Sequence, residues 1–146
     1  MASVVLEQYR KLPRKGKPGD MEWTVLAGIV MERSGKEPVA VALATGTKCL
    51  NVNRMLTTGQ AINDSHAEVL TRRAFRRFLL DQVRLLAEGE ESILVPAKGG
   101  GPLQLQRDTR FHLYVSEVPC GEVTVVDLTD PSLDTTDFLS LSGRPL

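Results

Sequence analysis

The 146-residue sequence predicts an α/β domain, because segments patterned as buried strands accompany one long amphipathic helix. The segments WTVLAGIVM and PVAVALATG are apolar runs bounded by turn residues, as expected for strands buried on both faces. The short link ERSGKE between them predicts a hairpin. From Ser65 to about Glu88, apolar side chains recur at three- and four-residue steps, which indicates a helix packed on a sheet. The side chains predicted to face that sheet are Leu70, Ala74, Phe75, Phe78, Leu79, Val83 and Leu86.

Shorter elements surround this centre. Residues 4–12 form an amphipathic helix candidate that ends before Pro13. The segments SILVPA and LQLQ are predicted strands around a glycine-rich turn, and RFHLYVSEV is a further strand because apolar and polar residues alternate along it. The polar stretch 45–64 is predicted to be a connection. Trp23 opens a buried strand without neighbouring aromatic residues, so it is predicted to anchor the core rather than stack on a base.

Charge and cysteine usage narrow the function classes. The chain carries 18 basic and 18 acidic residues, but 13 against 7 in residues 1–80 (+6) and 5 against 11 in residues 81–146 (−6), which suggests an anionic partner for the first half. Cys49 and Cys120 form no C-x-x-C, so an intracellular location, cytoplasmic or nuclear, is expected. No apolar stretch approaches the roughly 20 residues that cross a bilayer, so no membrane partner is expected, and nothing points to a protein partner. The acidic residues 122–146 are expected to be a loosely ordered tail.

The segment NDSHAEVL permits two compatible interpretations. Ser65 and Glu68 have the spacing of a capping box, in which each side chain bonds a free amide at the helix start. His66-Ala67-Glu68 is also the H-x-E pattern of zinc-dependent nucleobase deaminases, in which His binds zinc and Glu moves protons. Such a site needs thiolate ligands as well, and Cys120, preceded by proline at a predicted strand end, would supply one.

Five ordered blocks carry a resemblance to a known family: KLPRKGKP, WTVLAGIV, ATGTKC, NDSHAEVLTRRAFRRFLL and FHLYVSEVPCG. From about Tyr9 to Gly121 the chain resembles the first part of the adenosine deaminase domain of RNA-editing and tRNA-editing enzymes. The first block and the following EWTVLA are most similar to the tRNA-specific members, which convert an adenosine beside the anticodon of alanine tRNA to inosine. The resemblance implies a cytidine-deaminase-like mixed sheet flanked by helices and incomplete at its C-terminus, with residues 1–121 forming its N-terminal portion.

The resemblance also implies roles for individual residues. His66 and Cys120 would be zinc ligands, and Glu68 would carry protons between the attacking water and the departing ammonia. Thr47 and Lys48 match positions that contact the substrate nucleotide.

A second group of family positions binds a structural cofactor. Family members bury inositol hexakisphosphate, and Asn63, Arg72 and Arg73 match positions that line its site. Arg76 and Arg77 are expected on the surface.

One departure from the family pattern affects the expected activity. The family's third zinc ligand is a second cysteine far downstream, but no cysteine follows Cys120, and the cytidine-deaminase alternative P-C-x-x-C is broken by Val123. Cys49 matches a family cysteine that is not a ligand, and His112 is expected to be structural. We therefore expect a truncated or alternatively spliced deaminase that is inactive alone. The alternative is a non-catalytic isoform that binds RNA or a protein partner.

Overall fold

The structure is a computed structural model that describes residues 1–97 and 99–119; Cys120 and the predicted tail 122–146 lie outside the described residues. The helices are α1 (Ala2–Lys11) and α2 (Ala67–Ala87). The strands are β1 (Leu26–Arg33), β2 (Val39–Thr45), β3 (Thr47–Cys49), β4 (Asp64–His66), β5 (Leu94–Val95), β6 (Gln104–Leu105) and β7 (Thr109–Val115), with a 3-10 turn at Val52–Arg54.

The main sheet has the strand order β2-β1-β7, and both of its ladders are antiparallel. The predicted hairpin of β1 and β2 is confirmed, with a register shift between Ile29 and Val30. Strands β5 and β6 pair around the glycine-rich turn, as predicted. The other short ladder joins β3, which lies inside the stretch predicted to be a connection, to β4, which runs from the last residue of that stretch into the predicted helix start. Sequence reasoning missed it because two three-residue polar strands carry no periodicity.

Helix α1 covers one face of the main sheet. Val5 is fully buried and packs with Leu26 and Val30. A Cβ atom added at Gly28 would lie 2.6 Å from Cγ1 of Val5, so α1 approaches β1 more closely than any other residue type at this position would allow. The core on this face therefore depends on a small residue in the middle strand.

Helix α2 covers the opposite face. Fully buried Thr71 donates a hydrogen bond from its hydroxyl to the carbonyl oxygen of Ala27, at 3.0 Å, and Phe75 packs edge-on against Phe111, with ring centroids 4.8 Å apart. Ala27 neighbours Gly28 along β1 and so points to the other side of the sheet. The α/β class with helices flanking a sheet is confirmed.

Two expectations about exposure were wrong. Trp23 is 74% exposed, because β1 begins only at Leu26 and Trp23 lies in the irregular segment before it. Val83 of α2 is 40% exposed, since no other element among the described residues covers it. Leu113 of β7 is also exposed, at 63%. Within the described residues, no helix is both long enough and apolar enough to cross a membrane.

Candidate active site

The start of α2 is attached to the main sheet through Gly46, the residue between β2 and β3. Its amide donates to the carbonyl oxygen of Val25, and its carbonyl oxygen accepts from the amide of Ala67, both at 3.1 Å. A Cβ atom at Gly46 would overlap the carbonyl oxygen of Ser65, so the contact excludes any side chain here. One of the unpaired amides of the first helical turn is thereby satisfied by the sheet.

The predicted capping box is not formed. The N-cap residue of α2 is His66, with extended backbone and no side-chain capping bond, and Ser65 lies in β4. The helix starts later than the pattern indicated because the β3 and β4 ladder holds Ser65 opposite Lys48. Glu68 in the first turn still places a negative charge near the positive end of the helix dipole.

His66 is oriented by the aspartate two residues before it. One carboxylate oxygen of Asp64 accepts hydrogen bonds from the backbone amide of His66, at 2.9 Å, and from Nδ1 of its imidazole, at 2.8 Å. The hydrogen bond from the backbone amide of His66 is the main cause that lowers the pKa of Asp64, and the hydrogen bond from the imidazole adds to this effect. With Nδ1 held, Nε2 is the nitrogen left to bind something else, and histidine ligands of metals are oriented in this way.

A cavity of about 440 Å³ opens beside His66. Its lining residues are Trp23, Val25, Thr47, His66, Glu117 and Val118. The last two follow β7, whose end is fixed to β1 because Ser116 exchanges two hydrogen bonds with the backbone of Leu26, at 2.8 and 3.0 Å. The chain therefore passes His66 immediately before it reaches position 120.

The structure brings Thr47 together with His66, since the two are directly opposite in the β3 and β4 ladder. Lys48 is exposed and lines the adjoining cavity, of about 570 Å³, with Thr47 and Trp23. Glu68 is half-buried in the first turn of α2. No group of three potential metal ligands occurs within residues 1–97 and 99–119, and Cys120 lies beyond them, so the proposed zinc ligand set stays a prediction.

The residues predicted to bind inositol hexakisphosphate lie apart from this cavity's lining. Asn63 uses its side-chain amide on the backbone of Leu56, donating at 2.9 Å and accepting at 3.1 Å, and so closes the loop before β4. Arg72 and Arg73 are exposed on α2, and no hydrogen bond joins the three residues in the described part of the chain. Arg76 and Arg77 are exposed, as expected, and Arg77 pairs with Asp81.

Sequence reasoning missed two residues of the site. Asp64 could have been found, because an aspartate that bonds the amide two residues onward is a common turn pattern. Gly46 was not identifiable alone, since its necessity arises from a contact with a segment nearly twenty positions away.

A histidine and a glutamate separated by one residue, at the start of a helix packed on a sheet, is the arrangement of the nucleobase deaminases. The chain belongs to the adenosine-deaminase (editase) domain family, which it matches over residues 42–140, more than half of its length. Members of this family named adenosine deaminases are hydrolytic enzymes.

Similar proteins carry related names. The chain is 38% identical to human tRNA-specific adenosine deaminase 1, over 89% of this chain and 29% of the human protein. It is 37% identical to tRNA-specific adenosine deaminase 1 of Schizosaccharomyces pombe, over 86% of this chain and 34% of that protein. Mouse double-stranded RNA-specific editase B2 is 39% identical, over 96% of this chain and 19% of the editase. The chain thus spans about a third or less of these relatives. No solved structure matches it.

Proposed function

We propose that this chain supplies part of the active site of a zinc-dependent deaminase that converts adenosine to inosine in tRNA. His66 carries the proposal: its Nδ1 is held by Asp64 at 2.8 Å, and it borders a cavity shared with Thr47. That cavity, at about 440 Å³, falls in the size range of small-molecule pockets. A single nucleobase removed from its stack is a ligand of suitable size.

The residues at this cavity fit zinc in part. His66 offers Nε2 of its imidazole, and Val118 in the same cavity is two positions before Cys120, which would offer a thiolate. A bound zinc ion would supply an acidified water for attack on the base. Both ligand types are those that zinc prefers.

Glu68 would move the protons. It lies two residues after His66, in the first turn of the same helix. It would take a proton from the attacking water and deliver one to the amino group at C6 of adenine, which departs as ammonia. Water and adenosine would thereby yield inosine and ammonia.

The substrate is proposed to be a tRNA, and in particular an alanine tRNA. Two relatives named above are tRNA-specific by name, and Thr47 and Lys48 would contact the nucleotide to be deaminated. Such a substrate would be met inside the cell, in the cytoplasm or the nucleus.

Inositol hexakisphosphate is proposed as a structural cofactor near Asn63, Arg72 and Arg73. The two arginines are exposed, and a polyphosphate needs several cationic partners to offset its desolvation. Further cationic residues would have to join them before the cofactor could be buried.

The 146-residue chain by itself is proposed to be inactive, because His66 and Cys120 are two proposed ligands where three are needed. Cobalt(II) is a suitable probe, since a thiolate ligand to cobalt gives a charge-transfer absorption band. We expect the band to form weakly and to disappear in Cys120→Ser. His66→Ala should reduce it, whereas Cys49→Ser, which changes the other cysteine, should leave it unchanged.

Inosine formation on alanine tRNA would be measured in parallel, with zinc added. Turnover by the unmodified chain would refute the proposed inactivity while supporting the deaminase function. A cobalt band that persists in Cys120→Ser, or that is lost in Cys49→Ser, would contradict the ligand pair. RNA binding that requires neither a metal ion nor the side chains of His66 and Cys120 would favour the non-catalytic alternative.

A further inference from the structure

Trp23 is exposed at the entrance to the candidate active site, which is unusual for the largest apolar side chain. It is 74% exposed, although tryptophan is highly buried on average. Its neighbours at this entrance include Met21, 98% exposed, and Val118, 72% exposed. Exposed apolar side chains that cluster beside a cavity, unlike single scattered ones, are a mark of interaction sites.

The position of Trp23 connects two cavities. Trp23 and Thr47 line both the cavity beside His66 and the adjoining cavity that contains Lys48. The two cavities therefore adjoin, with Trp23 and Thr47 between them. A nucleic-acid strand that placed one base beside His66 would bring its next nucleotide past Trp23.

The charges at the second cavity favour a phosphate-bearing ligand there. The ammonium of Lys17 is held by the carbonyl oxygens of Arg10 and Leu12, at 3.2 and 2.6 Å, and the carboxylate of Glu22 accepts from the amide of Gly19, at 2.9 Å. Lys48 is exposed, and its side chain makes no ion pair or hydrogen bond within the described residues. An exposed cation next to an exposed aromatic ring is the combination that binds single-stranded nucleic acid.

We propose that Trp23 stacks on an unpaired base adjacent to the nucleotide that occupies the His66 cavity. This inference rests on the proposed function, since it takes RNA as the ligand. Stacking requires only an aromatic face, so the contact tolerates any base but requires that base to be unpaired. Trp23 would thereby select single-stranded loops over continuous duplex.

The chain contains a single tryptophan, so its intrinsic fluorescence reports on Trp23 alone. The experiment titrates the 146-residue chain with a six-nucleotide single-stranded RNA, a blunt duplex of the same sequence, and inorganic polyphosphate. We expect quenching by the single strand and not by the other two. Quenching that is equal for the duplex or for polyphosphate would overturn the proposal.

Variants test the same contact through affinity, measured with a labelled RNA by fluorescence anisotropy. Trp23→Ala should weaken single-strand binding about tenfold to a hundredfold, while Trp23→Phe should retain most of it. Leu80→Ala, which changes an exposed apolar residue of α2 that lines neither cavity, is the matched control and should bind as the unmodified chain does. Equal far-ultraviolet circular dichroism and urea midpoints would show that the variants fold alike.

The outcomes separate this inference from the proposed function. RNA binding that is unchanged in Trp23→Ala would overturn the stacking contact and leave the deaminase proposal intact. Absence of any single-strand binding would overturn both the contact and the RNA substrate. The cobalt experiment on His66 and Cys120 involves neither Trp23 nor RNA, so its failure would be recognised independently.

Discussion

The two histidines of the chain make hydrogen bonds of the same length and differ in what those bonds leave available. His66 and His112 each bond a carboxylate oxygen at 2.8 Å. In His66 the bonded nitrogen is Nδ1 and the partner, Asp64, is two residues away; in His112 it is Nε2 and the partner, Glu32, is 80 residues away. The hydrogen bond therefore leaves Nε2 available in His66 and Nδ1 available in His112.

The surroundings of the two histidines differ as well. The His66 side chain is 19% exposed and borders a cavity. It lies at the start of α2, whose first amide is bonded by Gly46. His112 is 37% exposed and lies opposite Val30 in a regular ladder, diagonal to Glu32 on the same face. A histidine and carboxylate pair alone does not identify a site. The free nitrogen, the cavity and the fixed backbone are what distinguish His66 as the candidate.

The largest expected effect comes from breaking the backbone contact in the His66 region. Gly46→Ala would place a methyl group on the carbonyl oxygen of Ser65. Neither group can rotate away, because the methyl carbon is fixed by the backbone at position 46 and the oxygen belongs to the backbone. We expect a loss of about 3 kcal/mol or more in the free energy of unfolding, measured by urea denaturation.

Gly35→Ala in the β1 and β2 turn is the control for that substitution. Gly35 has φ +73° and open space around its Cα, so only the strain of the left-handed conformation is expected, about 1–2 kcal/mol. Equal losses in the two variants would contradict the proposed steric role of Gly46.

A smaller loss of unfolding free energy is expected when the hydrogen bond between α2 and the main sheet is removed. Thr71→Val keeps the shape of a fully buried side chain but removes the hydroxyl that donates to the carbonyl oxygen of Ala27. We expect a loss of about 1 kcal/mol in unfolding free energy. Thr58→Val on the exposed loop should change stability by less than about 0.5 kcal/mol. An unchanged unfolding free energy in Thr71→Val would contradict a stabilising role for this hydrogen bond and would leave apolar packing to hold α2 on the sheet.

The last prediction concerns the tautomers of the two imidazoles in their neutral form and involves no change in stability. It tests the comparison of the two histidines most directly. We expect the proton on Nδ1 in His66 and on Nε2 in His112, as read from imidazole ¹⁵N chemical shifts. Asp64→Ala should alter only the His66 signals, and Glu32→Ala only those of His112. The same tautomer in both histidines would remove the distinction between the regions.

Much of the fold could be predicted from local patterns. The strands β1 and β2, their hairpin and the long helix α2 were foreseen because apolar periodicity and turn residues act over short distances. The H-x-E pattern indicates the start of α2 as the candidate site, and that assignment stays a prediction. The placement of α2 on the face of β1 opposite α1 was not foreseen, since two amphipathic helices do not specify which face each one covers.

The amino-acid sequence by itself determined the family, the order of the elements and the residue types at positions 66 and 68. Only the tertiary structure decided that Ser65 joins a strand instead of capping the helix, that Asp64 takes Nδ1 of His66, and that Trp23 stands exposed between two cavities. Gly46, whose backbone bonds both Val25 and Ala67, holds the segment before β1 against the start of α2. Contacts between distant segments compete with local propensity, and here they displaced a capping box and a buried tryptophan that the local pattern favoured.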